Sequence, residues 1–251
     1  MTSPSILNPA GGLRYHLRAL RYSARHWQTF RWELGQWLLE WQPREPTLIL
    51  VGPSAGYCLQ PFFFERFERI VCLEPDPIAR FLFQRRIRNA PLERQPTLEF
   101  IADDRLVHVP ERFPKLVESY GDACILFSNI IGQLRALLGV DENNAPELVR
   151  VRDAVQTAVI GHSWASFHDR VSGYLRPTFE RAPTAQSRLS DAEVLDLLYG
   201  ESRPSRRKHG DELVDHLTQG FFAPELPHTY FTWEIEPGRV HLIEAVRLCG
   251  R

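Results

Sequence analysis

Hydrophobic positions change period along this chain, and the changes divide it. From Gly12 to Trp41 there is no proline, and apolar residues recur at helical spacing: Leu13, Leu17, Leu20, Ala24 and Trp27, then Leu34, Leu38 and Trp41. The pattern predicts one long amphipathic helix or two shorter ones. Gly35 weakens the second half, and Pro43 and Pro46 end the segment. Beyond it, short apolar runs alternate with helical stretches. Thr47–Val51, Arg69–Glu74, Leu98–Ala102 and Ala123–Ser128 read as strands. Tyr57–Phe67, Ile78–Asn89, Phe113–Tyr120, Ile131–Leu138 and Glu147–Val159 read as helices. Pro61 is tolerated in a first helical turn, so the first of these is predicted to start near Leu59. Ile78, Phe81, Leu82, Arg85 and Ile87 are the expected inner face of the second.

The last third is less regular. Ser163–Asp169 alternates and reads as a fifth strand, with a helix end as the alternative. Residues 173–210 carry Pro177, Pro183 and Pro204 and are polar, which suggests an inserted lid. One short helix is expected there, Ala192–Tyr199, capped by Ser190 or Asp191. Asp211–Thr218 reads as a further helix. Tyr230–Ile235 and Val240–Leu248, joined by Pro237-Gly238, form an antiparallel hairpin. Alternating units that finish this way define an α/β fold. Residues 1–46 are expected to be an N-terminal helical cap, and 47–251 a Rossmann-like domain with its lid at about 173–210.

Within that order one stretch carries chemistry. Thr47–Val51 breaks into Gly52-Pro53-Ser54-Ala55-Gly56, and the next strand ends in Glu74. A small-residue loop lets backbone N–H groups approach a ligand, and an acid about 20 residues on accepts hydrogen bonds from a ribose diol. The third strand ends at Asp103-Asp104 and the fourth at Asn129. Polar groups at successive strand tips share one edge of a parallel sheet, where open α/β sheets bind ligands.

Composition narrows the possibilities. The 251 residues suit one large domain, or one with an appendage. No apolar run is long enough to cross a bilayer. The first ten residues lack the layout of a secretory signal, so a cytoplasmic protein with no membrane partner is expected. A net charge of −1 gives no global pull toward nucleic acid. Arg14, Arg18, Arg21 and Arg25 then read as a solvated helix face, and Ser205-Arg-Arg-Lys-His209 as a solvated loop. Cys58, Cys72, Cys124 and Cys249 are scattered and read as buried reduced thiols. The histidines show no paired-ligand spacing, so no metal site is expected. No Gly-Lys-Ser/Thr follows the small loop, which argues against triphosphate hydrolysis. Residues Gly52–Gly56 do fit Gly-x-Ser-x-Gly, the hydrolase nucleophile elbow. That elbow belongs after several strands and here follows the first, leaving an α/β-hydrolase using Ser54 as a lesser alternative.

The order of elements, with its closing hairpin, resembles the class I S-adenosylmethionine-dependent methyltransferases. The resemblance spans roughly residues 47–250. It implies a seven-stranded, mostly parallel, doubly wound sheet whose last strand lies antiparallel beside the fifth, and S-adenosylmethionine as cofactor. In the family's first motif the acid position is Leu50 here, and the glycine positions are Gly52, Ser54 and Gly56, with Pro53 and Ala55 between them. Glu74 matches the acid that holds the ribose. Asp103, or Asp104 if the register differs by one, matches the acid that contacts the adenine amino group. Asn129 and Ile130 follow the fourth strand, where the family's chain passes along the cofactor toward the acceptor. At the tip of the fifth strand, His168 is the candidate general base, and Asp169 or Arg170 the group that orients an acceptor. His162 and Tyr57 are weaker candidates. A small-molecule acceptor is expected, with RNA or protein left open. Trp27, Trp32, Trp37, Trp41 and Phe62–Phe64 read as core and lid packing. The alternative from another class is a methyltransferase-like binding or scaffold module without catalysis.

Overall fold

The structure is a computed structural model that describes residues 12–102, 105–141, 145–174, 182–199 and 213–250. The proline-free N-terminal segment forms two helices, α1 (Gly12–Tyr22) and α2 (Gln28–Glu40). Strand β1 (Thr47–Val51) follows, then β2 (Arg69–Leu73), α3 (Pro77–Asn89) and β3 (Thr97–Ile101). Next come α4 (Arg105–His108), α5 (Phe113–Ser119), β4 (Ala123–Ser128), α6 (Ile130–Leu138) and α7 (Pro146–Ala158). The chain continues through β5 (Trp164–Tyr174), β6 (Thr184–Ala185), α8 (Asp191–Tyr199) and β7 (Val214–Asp215). It closes with β8 (His228–Glu236) and β9 (Arg239–Leu248).

These strands make one sheet in the order β3-β2-β1-β4-β5-β9-β8-β6, with β7 pairing β5. The first five run parallel. Strand β9 enters antiparallel between β5 and β8. Alternate residues of each central strand face opposite layers. Leu48 and Leu50 pack with Trp27, Phe30, Leu34, Phe63 and Phe83, whereas Ile49 and Val51 pack with Phe113, Ile131, Val151 and Val155. Helices on both faces bury Leu48–Val51, Ile70–Leu73 and Ala123–Ser128, so the central strands read as nearly continuous apolar runs rather than as an alternation.

Several expectations need correction. Among the described residues the sheet has nine strands rather than seven, the additions being the two-residue β6 and β7. Val214–Asp215 is one of these, not part of a helix, because it finds β5 as a partner. Pro61–Arg66 forms a short 3-10 turn instead of the helix predicted over Tyr57–Phe67. Its phenylalanines Phe63 and Phe64 are buried, and Phe63–Phe64 and Phe63–Phe67 meet edge-on. Helix α3 faces the core with Ala79, Phe83 and Ile87, and leaves Ile78 and Phe81 exposed. Asp76 sets that rotation: its carboxylate accepts the Ile78 N–H at 2.8 Å and caps the helix ahead of Pro77. In α1 the buried residues are His16 and Ala19, while Leu13, Leu17 and Leu20 are exposed. Cys58, Cys72 and Cys124 are buried as expected, but Cys249 is exposed. The basic knot at 205–209 lies outside the described residues. No helix among the described residues is long and apolar enough to cross a membrane.

Candidate active site

The small-residue loop after β1 is built from left-handed backbone. Gly52, Ser54 and Gly56 have φ of 65°, 49° and 68°. Glycine meets a steric requirement as well as a torsional one here. A Cβ on Gly52 would lie 2.9 Å from Ile130 Cβ, and one on Gly56 would lie 2.8 Å from the Phe83 ring. Ser54 bears a side chain in the same strained region. Its N–H donates to Glu74 Oε2 at 2.8 Å, and the Asp76 N–H donates to Glu74 Oε1 at 3.0 Å. Glu74 thus fastens the loop to the tip of β2. Burial pushes its carboxyl up to about 7, although the two backbone donors and Arg80 favour the charge. No hydrogen bond joins Ser54 to a histidine among the described residues, and its backbone N–H is taken by Glu74.

The strand tips are level. Val51 pairs with Leu73 and Phe127, and Leu73 with Ile101, so the chain leaves the sheet at one edge after each of these strands. The Glu74 N–H reaches Ile101 O at 3.1 Å and holds the tips of β2 and β3 together. Asp103 and Asp104, next along the chain, lie outside the described residues.

Asn129, at the tip of β4, is also left-handed, with φ of 59°. Its side chain is committed to Asp169: Nδ2 donates to Asp169 Oδ2 at 3.1 Å, and the Asp169 N–H donates to Asn129 Oδ1 at 2.8 Å. The other Asp169 oxygen lies 2.9 Å from His241 Nδ1. Burial raises the Asp169 carboxyl, but His241, His216 and the Asn129 amide outweigh it and hold the group down at about 2. Asp169 is therefore an ionised carboxylate at the sheet edge.

His168 is placed differently from the expectation. Strand β5 does not end at Asp169 but runs on to Tyr174, because β9 pairs with it along that length. Gly173 and Tyr174, expected in the lid, belong to this strand. His168 points to the face opposite Asp169, where Nδ1 meets Ser166 Oγ at 2.9 Å and the ring lies near Phe222. Burial lowers it to about 4, so the imidazole is neutral near pH 7. It borders a buried ionic cluster centred on Glu244 of β9, which is fully buried. Glu244 Oε1 lies 3.0 Å from Arg188 Nε and 2.8 Å from His228 Nδ1, and Oε2 lies 3.2 Å from Arg170 Nη1. Arg170 also reaches Asp191, at the start of α8, at 2.7 Å. Arg170, offered from the sequence as an acceptor-orienting group, instead ties β5, β9 and α8 together.

The N-terminal helices cover the loop. His16 Nδ1 meets the Tyr57 hydroxyl at 3.3 Å, and Nε2 meets Asp76 at 3.4 Å. A chain of rings runs from the loop to His241. Tyr57 contacts Tyr15, Tyr15 stacks on Trp27, Trp27 meets Trp233 edge-on, and Trp233 lies 5.8 Å from His241. Burial pushes the Tyr15 phenol up, and the Asp169 charge adds to the shift. Two cations stand behind the loop. Arg86 donates to Leu59 O at 2.6 Å, and its pKa is lowered to about 10 by burial and then by Arg31. The Nε of Arg31 is buried without a partner. His162, another sequence candidate, contacts the Ala123 carbonyl at 2.9 Å, at the opposite end of β4.

The decisive observation is the sheet. Five parallel strands in the order 3-2-1-4-5 are followed by a final strand inserted antiparallel beside the fifth. This is the strand order that the resemblance to class I methyltransferases implies. No protein-family model matches the sequence, and no curated protein matches it. Solved structures resemble it at low identity. A SAM dependent methyltransferase from Aquifex aeolicus is 10% identical, covering 92% of this chain and 98% of its own, with a TM-score of 0.42. N-methyltransferase NodS from Bradyrhizobium japonicum WM9 is 13% identical, covering 88% and 98%, with a TM-score of 0.41. A putative O-methyltransferase from Klebsiella pneumoniae is 14% identical, covering 96% and 93%, with a TM-score of 0.39.

Sequence reasoning missed His16, His216, His241 and Glu244. Only the last two left a readable signal. Val240-His-Leu-Ile-Glu244 sets two titratable residues inside an apolar strand, and buried polar residues in such runs need partners.

Proposed function

We propose that this chain is an S-adenosylmethionine-dependent methyltransferase. One observation carries the reading: the left-handed loop Gly52–Gly56 is tied to Glu74 where β1 and β2 leave the sheet together. The residues fit the adenosyl group. Each Glu74 oxygen accepts one backbone N–H and keeps a lone pair for a ribose hydroxyl. Pro53 and Ala55 complete the loop, Asn129 borders it through Ile130, and Asp103 or Asp104 would take the adenine amino group. Arg31 and Arg86 have no carboxylate partner among the described residues, and would hold the amino-acid carboxylate of the cofactor. When bound, the cofactor supplies a methyl group on a sulfonium that needs no further activation.

The chain's own task is then to align a nucleophile and exclude water. Asp169, ionised and next to Asn129, is the group we assign to orienting the acceptor. His168 is not assigned a base role, because it is buried on the other face and engaged with Ser166. Helices α1 and α2 act as the cap over this edge, and the segment around α8 as a lid. A small-molecule acceptor fits the enclosed aromatic surroundings better than a folded RNA or protein.

Calorimetry with S-adenosylhomocysteine tests the reading. Binding at micromolar Kd, weakened about tenfold or more in Glu74→Ala through loss of a charged acceptor, is expected. No binding by the native chain would refute it. A second reading, a binding module without turnover, is favoured by Leu50: the usual acid position is an apolar residue in the core. Binding of the cofactor without methyl transfer to any acceptor class would select that reading.

A further inference from the structure

The mechanism leaves three neighbouring side chains only partly used. Asp169 of β5, His216 just beyond β7 and His241 of β9 each offer one ligand-type atom, and these atoms lie within 4.8 Å of one another. Asp169 and His241 share a sheet face. Asp169 pairs across the ladder with Ile243, and His241 lies two residues along β9 from that partner. A bulge between Asp169 and Val171 re-aims the strand at this point, as bulges beside functional sites do.

We propose that Asp169, His216 and His241 bind one divalent first-row transition metal ion through a carboxylate oxygen and two imidazole nitrogens. Two observations beyond proximity support this. The first is unmet bonding capacity. Asp169 and His241 are both more than nine-tenths buried, yet Asp169 Oδ1 and both His241 ring nitrogens lack a hydrogen bond of proper alignment. Asp169 Oδ1 and His241 Nδ1 approach to 2.9 Å, a hydrogen-bond distance, but are not aligned as donor and acceptor. A carboxylate–imidazolium pair would still leave His241 Nε2 without a partner, and orphaned buried nitrogens are costly. The second is the outer shell. His216 Nδ1 lies 2.7 Å from the Gly132 carbonyl, so the proton belongs on Nδ1 and the Nε2 lone pair points inward, where Ser172 Oγ lies at 2.9 Å. A carbonyl that fixes the tautomer is the usual support of a metal-binding histidine. Asp169 is held in the same way: its second oxygen and its own N–H are taken by Asn129.

The ligand set selects the ion. Two imidazoles and one carboxylate with positions left open suit zinc, cobalt or iron(II) and disfavour magnesium and calcium, which prefer all-oxygen shells. Ligands about 2.1 Å from a tetrahedral ion sit roughly 3.4 Å apart, which lies between the 2.9 Å of the Asp169–His241 approach and the 4.8 Å within which all three atoms fall, so side-chain adjustment in both directions would seat the ion. This inference extends the functional reading without resting on it, since the site can load whether or not a methyl group is transferred.

Cobalt(II) is the probe. Tag-free protein stripped with chelator, incubated with cobalt(II) and passed over a desalting column should retain about one equivalent and show visible d–d absorption of a four- or five-coordinate ion. His241→Gln and His216→Ala should each weaken retention by ~100-fold or more, since removing even outer-shell partners costs 10–100-fold. His26→Ala, at an exposed histidine, should retain it. Where a variant fails to fold, X-ray absorption on the cobalt-loaded native protein decides the ligand set, with two imidazoles expected. Absence of stoichiometric retention would overturn the proposal. So would retention unchanged in folded His241→Gln and His216→Ala, or a cobalt shell without imidazole. Calorimetry with S-adenosylhomocysteine on metal-free protein reports separately on the methyltransferase reading.

Discussion

Asn129 and Asp169, forty residues apart, hold each other by two hydrogen bonds, one through the Asp169 carboxylate and one through its backbone N–H. This couple fixes the tip of β4 to β5 and points the second carboxylate oxygen toward His241. Asn129 also has φ of 59°, a conformation that asparagine tolerates better than most residues with a Cβ. Two variants separate its roles. Asn129→Gly relieves the torsion but loses both bonds, and should cost about 2 kcal/mol. Asn129→Ala also keeps a Cβ at positive φ, and should cost about 1 kcal/mol more. Urea unfolding of both variants checks this, and equal costs would mean that the torsion is unimportant.

The same junction depends on Gly132. A Cβ there would lie 2.5 Å from Asp169 N and 2.8 Å from both Asp169 Cβ and O, with backbone atoms that cannot step aside. Gly132→Ala should therefore push α6 off β5 and destabilise the protein by about 3 kcal/mol. Gly139 is the control. Its φ is 66° and nothing lies within 4 Å of an added Cβ, so Gly139→Ala should cost only about 1 kcal/mol of backbone strain. Midpoints of chemical denaturation compare the two.

Glu244 is the ionic centre of the β5–β9–β8 half of the sheet. Burial alone raises its pKa, but His228, His168, Arg188 and Arg170 reverse this and hold the carboxyl at about 2, against 4.5 for a free glutamate. A depressed folded-state pKa contributes stability that is present above the unfolded value and is lost as pH falls through the folded one. The contribution from Glu244 is thus full above about pH 4.5 and disappears toward pH 2. Glu244→Gln leaves Arg170 and Arg188 without their shared counter-charge, and should cost about 3–5 kcal/mol at neutral pH. It should also flatten the acid limb of the stability curve. Thermal unfolding of both proteins between pH 2 and 7 measures this, and an unaltered acid limb would count against the assignment.

Much of this architecture is legible in the sequence, and the gaps have physical causes. The strands β1, β2 and β4 are five- or six-residue runs between turn signals, apolar except for Thr47, Arg69 and Ser128 at one end of each, and the glycine and carboxylate that follow β1 and β2 mark the sheet edge. Local pattern sufficed there because burial on both faces allows no other residue type. It did not suffice for β5, whose second half Arg170–Tyr174 looks polar. Arg170 is buried only because Glu244, 74 residues away, neutralises it. The Asp169–His216–His241 cluster is unreadable for the same reason. Its members come from β5, the loop after β7, and β9, and no spacing along the chain reports a diagonal contact across a bulge. The rotation of α3 was misread because Ile78 and Phe81 obey helical spacing yet face outward; the capping geometry at Asp76 sets the inner face instead.

Glu74 links stability to ligand binding. Its carboxyl is raised from 4.5 to about 7 by burial. A raised folded-state pKa contributes stability that is full below the unfolded value and is lost as pH rises through the folded one. Native protein should therefore give up part of its stability between about pH 4.5 and 7, and Glu74→Gln should remove that slope. Cofactor binding should run the other way. Ribose hydroxyls donate to the carboxylate, so the protonated acid must first lose its proton. Affinity for S-adenosylhomocysteine should then fall by up to about tenfold for each pH unit below 7, one proton being released per ligand bound. Calorimetry at pH 5.5, 6.5 and 7.5 in buffers of different ionisation enthalpy counts that proton directly. A pH-independent Kd with no proton release would separate Glu74 from the ribose and leave it solely as the clamp on the Ser54 loop.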